Sequence, residues 1–371
     1  MRDETLVVRA GHPPASQGAP FLPGPVFAGP YHAAGDPASA AFTYGRFHNP
    51  TWSAYETALG ELEGGTALVF ASGMAATTAI LGSVLRPGDS VLLPAESYYT
   101  TRVLARGFFS EVGVVVRLVP TVGGLDAKEV EGVKLVWLES PTNPGLDVCD
   151  IKASAATAHA AGALVAVDNT TATPLGQRAL ALGADFVLAS DTKSVTGHGD
   201  LILGHVAVRD AFWIDRLRTW RTQTGSVPGP FEVWLAHRSL STLAVRLERQ
   251  CDNAQAIAEF LVSRPDVVRV RYPGLSGDPA HAIAQRQMRR FGPVVSFELP
   301  GRAEAERFLD GCRLLDEATS FGAVHTTAER RARWGGDAVG EGFIRLSAGC
   351  EHIDDLLADI GQALDRMRAG A

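Results

Sequence analysis

The sequence predicts an α/β protein with a mostly parallel β-sheet, followed by a smaller α+β domain. Residues 163–167 (ALVAV) and 186–189 (FVLA) are short apolar runs without polar alternation, which is typical of strands buried on both faces of a parallel sheet. Similar runs alternate with helical segments, as in doubly wound sheets. A break at residues 225–230 (GSVPGP) then precedes a long helical pattern and mixed helices and strands.

We expect three segments along the chain. Residues 1–45 are rich in Pro and Gly and predict an arm without a regular helix, whose aromatic residues favour packing on another surface. Residues 46–230 predict the large domain, beginning with a helix opened by Thr51. Residues 231–371 predict the C-terminal domain, beginning with one long linking helix that runs to about residue 263. The seven strands of the large domain are expected near 66–70, 90–93, 114–118, 135–138, 163–167, 186–189 and 201–208.

Composition narrows the classes of partner. The 371 residues carry 34 Lys and Arg against 41 Asp and Glu, and this net charge of −7 argues against nucleic acid or anionic membranes as partners. We find no secretory signal pattern and no apolar run of membrane-spanning length. The four cysteines lack metal-ligand spacing, so we expect reduced thiols, a cytoplasmic location and no metal site.

Polar residues follow the two central apolar runs. Asp168 comes directly after the first run, and Lys193 closes the segment that follows the second. Because ligands bind beyond the carboxyl ends of parallel strands, both side chains are expected in one crevice. A lysine amine forms a Schiff base with the aldehyde of pyridoxal phosphate (PLP), and a carboxylate keeps its pyridine nitrogen protonated. The pair therefore predicts a PLP site, with a structural loop lysine as the alternative.

Other residues predict contacts to the phosphate and ring of this cofactor. Ser72, Gly73 and Met74 lie where a strand gives way to a helix, whose first N–H groups bind phosphate, although ordinary helix capping gives the same pattern. Ser190 and Thr192 lie just before Lys193 and are two positions apart on a segment expected to be extended, so both hydroxyls should point the same way. Further candidates are Tyr44 with Arg46 as a phosphate fork, Tyr98 as a stacking ring, Asn143 as an amide donor and Arg345 as a carboxylate ligand.

These residues occur in an ordered set of motifs that covers nearly the whole chain. The motifs are YGRFHNPT at 44–51, ASGM at 71–74, ESPTNP at 139–144, VDNT at 167–170, SDTK at 190–193 with GH at 197–198, and RLSAGCE at 345–351. This set resembles the Cys/Met-metabolism family of PLP enzymes, which includes cystathionine γ-lyase, γ-synthase and β-lyase and methionine γ-lyase. The resemblance implies a fold-type I PLP-dependent transferase with a seven-stranded sheet.

The resemblance also implies a role for each matched position. Lys193 would be the Schiff-base lysine, and Asp168 would face the pyridine nitrogen. The phosphate would be held by Ser72, Gly73, Met74, Ser190 and Thr192, with Tyr98 stacking on the ring and Asn143 contacting its oxygen. Ser320 and Arg345 would hold the substrate carboxylate. Tyr44 and Arg46 would reach the phosphate of a neighbouring subunit, which implies a homotetramer built as a dimer of dimers.

The chain departs from the family pattern on the side expected to face the substrate. Thr319 stands where γ-acting members often have Glu, and His325 lies where the family commonly has Glu in a Gly-Gly-x-Glu-Ser-Leu stretch. His325 is either a substrate contact or a solvated loop histidine. A further family segment is absent, and we expect the basic run of Arg330, Arg331 and Arg333 to form a solvated face rather than a second carboxylate clamp.

The resulting expectation is a PLP-dependent C–S lyase acting on an amino acid thioether, most similar to cystathionine γ-lyase. Lys193 would exchange its Schiff base and move protons during α,γ-elimination, and Tyr98 would donate a proton to the leaving thiolate. The alternatives within the family are γ-replacement, β-elimination and methionine γ-cleavage. A PLP-binding protein without turnover is the alternative from another class, and a nicotinamide dehydrogenase is disfavoured because no Gly-x-Gly-x-x-Gly follows the first strand.

Overall fold

A seven-stranded sheet organises the first two thirds of the chain in the computed structural model, which describes residues 1–369. The strands follow the order β1-β7-β6-β5-β4-β2-β3, and all neighbours are parallel except that β7 runs antiparallel to β1 and β6. The predicted mostly parallel α/β sheet is therefore confirmed. The strands are β1 Thr66–Phe70, β2 Ser90–Pro94, β3 Val115–Val119, β4 Leu135–Glu139, β5 Leu164–Asp168, β6 Phe186–Ala189 and β7 Gly204–Val208.

Helices cover both faces of this sheet, as its continuous apolar strands require. One face packs against α2 through Tyr55, Leu59 and Leu62, and the other packs against α3 and α7 through residues such as Ile80 and Leu217. The helices of this part are α1 Asp3–Arg9, α2 Pro50–Glu63, α3 Gly73–Val84, α4 Tyr99–Leu104, α5 Ile151–Ala160, α6 Thr173–Gly176 and α7 Ala211–Thr224.

A second, five-stranded sheet follows toward the C-terminus, in the order β10-β11-β12-β9-β8. Its core joins β9 and β12 to α9, α11 and α12 through apolar residues such as Phe297, Ile344 and Ile360. The strands are β8 Arg269–Arg271, β9 Val294–Glu298, β10 Asp316–Glu317, β11 Thr327–Arg330 and β12 Phe343–Ser347. The helices are α8 Pro230–Leu240, α9 Leu243–Val262, α10 His281–Gln287, α11 Arg302–Gly311 and α12 Ile353–Ala369.

Two expectations about the N-terminal part are wrong. The segment 1–45 does contain a regular helix, α1, because Pro and Gly begin only at Gly11 and the preceding residues place acids in the first turn and Arg9 in the last. Leu6 and Val7 of α1 are buried in the core. Helix α2 is capped by Asn49, whose side chain accepts a hydrogen bond from the Thr51 N–H, and not by Thr51.

The expectation of a single long linking helix is also wrong. Two helices, α8 and α9, occupy this stretch and are separated by Ser241 and Thr242. The Thr242 hydroxyl donates to the carbonyl of Ser239, which offers the backbone an alternative to a continuous helix. The division of the chain at residues 45 and 230 stays a prediction. Among residues 1–369, no helix has the length and apolar character needed to cross a bilayer.

Candidate active site

A cavity of about 240 Å³ lies beyond the carboxyl ends of β4, β5 and β6. It brings together most of the residues that the sequence singled out, as expected for ligand sites in open α/β sheets. Those that line it are Ser72, Gly73, Met74, Tyr98, Asn143, Asp168, Ser190, Thr192 and Lys193. Ser320 and Arg345 join this group through hydrogen bonds to Lys193 and Asn143.

The N-terminus of α3 forms one wall of the cavity. Ser72 caps this helix by accepting from the Ala75 N–H at 3.0 Å, while Gly73 and Met74 open it and line the cavity. A Cβ added to Gly73 would lie 2.7 Å from the Ser190 Cβ, so a larger residue does not fit here. The wall therefore combines the first free amides of a helix with a backbone that a ligand can approach closely.

The segment that leaves β6 forms the adjoining wall. The Thr170 hydroxyl accepts from the Ser190 N–H at 2.9 Å, and the Thr192 hydroxyl donates to the Leu203 carbonyl at 3.1 Å. Both Ser190 and Thr192 line the cavity beside α3. Because the Thr192 hydroxyl also accepts from the Leu203 N–H at 3.1 Å, the donors that remain at this end of the cavity are the Ser190 hydroxyl and the N-terminus of α3, which suit an anion such as phosphate.

Lys193 is the amine of the site. Its Nζ donates to the Ser320 Oγ at 2.6 Å and lies 5.3 Å from the centre of the Phe321 ring. Burial, and then the positive charge of Arg345, lower the pKa of Lys193 to about 8. An amine with this pKa is available as a nucleophile and as a base near neutral pH.

Two buried carboxyl groups lie side by side at the ends of β4 and β5. Glu139 pairs in register with Asp168, and both are less than a tenth exposed. Asp168 accepts from the Thr170 N–H, whereas Glu139 accepts from the N–H groups of Tyr98 and Asn143. Burial raises the pKa of both groups, and the neighbouring Asp168 raises that of Glu139 further. A cationic ring N–H at Asp168 would offset this cost.

Arg345 lies on the side of the site that faces away from Asp168, where three acceptors hold its guanidinium. Its guanidinium donates to Asn143 Oδ1 at 2.8 Å, to the Ser320 carbonyl at 2.7 Å and to the Glu329 carboxylate. Burial lowers the pKa of Arg345 to about 10 despite the charge of Glu329. Burial alone would raise the pKa of Glu329, but Arg345 and hydrogen bonds from Trp334 and Arg331 hold that pKa below its usual value.

Tyr98 and Asn143 complete the lining. Tyr98 is 38% exposed at the mouth of the cavity, and its backbone N–H is fixed by Glu139 at 2.6 Å. The Asn143 amide oxygen is occupied by Arg345, which leaves its two N–H groups to serve as donors. Both positions are compatible with a flat ligand bound between them.

Four expected site residues lie away from this cavity. Arg46 donates to the Thr222 carbonyl at 2.9 Å, and Tyr44 is 44% exposed beside it. Thr319 and His325 are exposed and do not line the cavity, and the Thr319 hydroxyl lies 3.4 Å from Glu329. The roles of these four residues stay predictions.

The expectation that the basic run forms a solvated face is wrong for Arg330 and Arg331, whereas Arg333 is exposed as expected. Arg330, the last residue of β11, and Arg331, which follows the strand, are both less than a tenth exposed. Arg331 pairs with Glu329 at 2.7 Å and with Asp337 at 2.5 Å. Arg330 pairs with Glu341 at 2.7 Å. Arg330 also lies 3.7 Å from Glu306, so acids from near and from distant positions of the chain neutralise these two arginines.

Sequence reasoning missed three residues that shape the site. Glu139 fixes the loops of Tyr98 and Asn143, and its place in a motif at the end of a buried strand was an available signal. Glu329 neutralises Arg345 across paired strands, and Phe321 lies beneath both Lys193 and Arg345 at 5.3 and 5.5 Å from its ring centre. These last two contacts depend on strand register and loop conformation that the sequence does not reveal.

Comparison with known proteins decides the family. The model of the family "Cys/Met metabolism PLP-dependent enzyme" matches residues 28–365. The chain belongs to this family. The fold and the expected cofactor of this Cys/Met-metabolism enzyme are thereby confirmed.

Relatives of this Cys/Met-metabolism enzyme carry several activities in their names. A Streptomyces coelicolor protein provisionally named cystathionine gamma-lyase is 55% identical over 98% of this chain and 93% of its own. The L-methionine gamma-lyase of Pseudomonas putida is 40% identical over 95% and 92% of the two chains. The solved structure of a Xanthomonas oryzae cystathionine gamma synthase in complex with cystathionine has a TM-score of 0.95 at 33% identity, covering 100% of both chains.

The cavity of this family member fits PLP on structural grounds. The lining glycine Gly73 leaves room that a Cβ would fill, next to the hydroxyls of Ser190 and Thr192. The buried carboxylate of Asp168 lacks a cationic partner among the residues described, and Lys193 presents an amine to the same cavity. The phosphate of PLP would meet the wall at Gly73 and Ser190, its protonated ring nitrogen would meet Asp168, and its aldehyde would meet Lys193.

Proposed function

We propose that this PLP-dependent enzyme is a C–S lyase of the cystathionine γ-lyase type, which cleaves cystathionine with one water molecule to cysteine, 2-oxobutanoate and ammonia. The observation that carries the proposal is that Lys193 and Asp168 line one cavity, with the Lys193 amine tied to Ser320. The 55% identity to the Streptomyces coelicolor relative supports the choice of reaction. Bound PLP supplies an aldehyde for amines and a protonated ring that withdraws electrons from the substrate α-carbon.

Arg345 and Ser320 orient the substrate in this proposal. The guanidinium of Arg345 keeps donors beyond those used by Asn143, Ser320 and Glu329, and these would bind the α-carboxylate of an amino acid. Its fixed position would present the Cα–H of the substrate to Lys193. Asp168 would hold the ring nitrogen protonated, Asn143 would donate to the ring oxygen, and the aromatic ring of Tyr98 would stack on the cofactor.

Lys193 would carry the proton transfers. Its pKa of about 8 leaves a fraction of free amine at neutral pH, which would remove the proton from Cα. For γ-cleavage the same amine would then move a proton at Cβ before sulfur leaves Cγ. Tyr98, half-exposed at the cavity mouth, would donate a proton to the departing sulfur.

The proposal extends to the assembly and its location. Tyr44 and Arg46 lie outside the cavity of their own chain, and we infer that they reach the phosphate in a neighbouring subunit. The exposed aromatic residues Phe21 and Phe27 of the N-terminal segment would then be covered by that subunit. The enzyme would be a cytoplasmic homotetramer with active sites shared between subunits.

Product analysis tests the reaction. Purified enzyme is incubated separately with cystathionine, with methionine, and with an activated homoserine ester plus cysteine, and the keto acid and thiol are identified by mass spectrometry. The proposal requires 2-oxobutanoate and cysteine. Pyruvate with homocysteine would show β-cleavage, release of methanethiol from methionine would show a methionine γ-lyase, and turnover only with an activated homoserine ester and cysteine would show a synthase.

A further inference from the structure

A buried cluster of four polar side chains lies directly behind the Lys193 segment. The Asp191 carboxylate is 2.6 Å from His205 Nδ1, and its second oxygen accepts from the Tyr55 hydroxyl at 3.1 Å. His205 Nε2 lies 3.3 Å from the Glu63 carboxylate. The side chains of Asp191, His205 and Glu63 are fully buried. The PLP reaction proposed above uses none of these groups.

The position of Asp191 connects this cluster to the cavity. Ser190 and Thr192 line the cavity, whereas Asp191 between them contacts β7 and α2 on the covered side of the sheet. The segment forms a turn, in which the Lys193 N–H donates to the Ser190 carbonyl at 3.1 Å, and this turn places Asp191 away from the cavity. The carboxylate therefore fixes the same short segment whose other side chains face the ligand.

The charges in the cluster reinforce this anchor. Burial alone would lower the pKa of His205, but Asp191 and Glu63 raise it to about 10, so the imidazole is a cation at neutral pH. The other titratable group at the cluster is Tyr55, whose ring packs 6.0 Å from that of His237. A cationic His205 between two carboxylates binds Asp191 far more firmly than a neutral imidazole would.

A second anchor lies on the other side of the lysine. The guanidinium of Arg246 donates to the carbonyls of Ser194 and Val195 at 2.9 and 3.1 Å. Lys193 is thus held between a buried ion pair before it and a buried arginine after it. An amine that must meet one aldehyde carbon needs its backbone fixed in this way, because small misplacements cost much of the rate.

We propose that the buried pair of Asp191 and His205 positions the segment 190–193, so that Ser190, Thr192 and Lys193 converge on the cofactor. This inference rests on PLP binding at Lys193, as proposed above. Asp191 and His205 are positioning residues, since neither touches the cavity. Loss of the pair would release the phosphate ligands and the amine together, and would weaken cofactor binding as well as slow turnover.

A matched control separates positioning from general stability. Asp278 and Arg271 form another buried ion pair, 3.0 Å long, with no measurable exposure of the Asp278 side chain, beside the second sheet. Asp278→Asn removes the charge of a buried acid in the same way as Asp191→Asn. Both variants should unfold more easily than the wild type, but only Asp191→Asn should change the cofactor site.

The test is a titration of cofactor-free enzyme with PLP, followed by its visible absorbance band, for the wild type and both variants. We expect Asp191→Asn to weaken PLP binding at least about tenfold, and Asp278→Asn to stay within about twofold of the wild type. If Asp191→Asn does not fold, Tyr55→Phe, which removes one hydrogen bond to Asp191, should weaken binding by about two- to fivefold.

Two results would overturn the proposal. Wild-type affinity for PLP in Asp191→Asn, or in Tyr55→Phe where that variant stands in for it, would show that the pair serves stability alone. An equal loss of affinity in Asp278→Asn would show that any buried defect has this effect. Failure of the wild type to bind PLP through Lys193 is a separate outcome, which would refute the proposed function first and the positioning role with it.

Discussion

The Nζ of Lys193 lies 2.6 Å from the hydroxyl of Ser320, although 127 positions separate the two residues in the chain. The contact joins the segment that follows β6 to the loop that precedes β11. Ser320 has a backbone φ of +80°, in the left-handed region that non-glycine residues rarely adopt. The loop thus accepts local strain where its hydroxyl meets the amine of the site.

Replacing Ser320 tests this contact. Ser320→Ala and Ser320→Gly both remove the hydroxyl, so both should lower kcat by about tenfold, as measured in steady-state assays with cystathionine. The two variants differ in backbone strain, because glycine adopts a positive φ freely. We expect Ser320→Gly to be more stable than Ser320→Ala by about 1 kcal/mol in denaturant unfolding. Wild-type kcat in both variants would remove Ser320 from the mechanism.

Glu329 is expected to set both the stability and the pH profile of the site. Glu329→Gln leaves Arg345 and Arg331 without their shared buried partner, which should cost about 3 kcal/mol of unfolding free energy. Since the charge of Glu329 raises the pKa of Lys193, the variant should have a lower lysine pKa than about 8. The acidic limb of kcat, which reports the Lys193 amine released in the enzyme–substrate complex, should therefore move to lower pH.

Glu317→Gln is the control for this prediction. Glu317 pairs with Arg333 at the surface, where loss of an ion pair costs less than about 1 kcal/mol. We expect unchanged stability and an unchanged pH profile in this variant. Matching behaviour of the two variants would contradict the role given to Glu329.

The stability contributed by His205 should depend on pH. Its pKa of about 10 in the folded protein lies above the value near 6.5 of an unfolded chain. Protonation therefore stabilises the fold fully below about pH 6.5, and this contribution is lost as the pH rises toward 10. Cofactor-free wild type and His205→Gln are compared by denaturant unfolding between pH 6 and 10. The wild type should exceed the variant most at pH 6; a constant difference would contradict a charged His205.

Gly73 should be required for cofactor binding and not for folding of the chain. The Cβ of Gly73→Ala would lie 2.7 Å from the Ser190 Cβ, so the two walls of the anion site must separate. We expect PLP binding to weaken by about a hundredfold or more, measured by absorbance titration. Gly107→Ala is the control, because open space surrounds that position, and its affinity should equal that of the wild type.

Local sequence patterns are enough to predict the large sheet and the location of the polar residues that follow its strands. The apolar runs at β4, β5 and β6, together with the polar residues after them, predict that Asp168 and Lys193 share one cavity, and this prediction is confirmed. Helix α7 escapes prediction because polar and charged residues interrupt its apolar pattern, and its buried face includes Arg221 beside Ile214 and Leu217. Helix α1 escapes prediction because its few residues adjoin the proline-rich segment after it.

Contacts between distant segments lie beyond what the sequence reveals. The burial of Arg331 depends on Glu329 and Asp337, and that of Asp191 depends on His205 and Tyr55. A charged side chain is expected to be exposed unless its partner is known, because burying it alone is costly. His205 reaches Asp191 through the register of β6 with β7, Tyr55 reaches it through the packing of α2, and Asp337 reaches Arg331 through the loop between β11 and β12.

Borohydride reduction of the PLP-loaded enzyme, followed by peptide mass spectrometry, tests the central claim most directly. We expect the cofactor mass on the peptide that contains Lys193, and no such adduct in Lys193→Ala, which should still fold but lack turnover. A reduced adduct on another lysine, or sustained C–S cleavage by Lys193→Ala, would contradict the account.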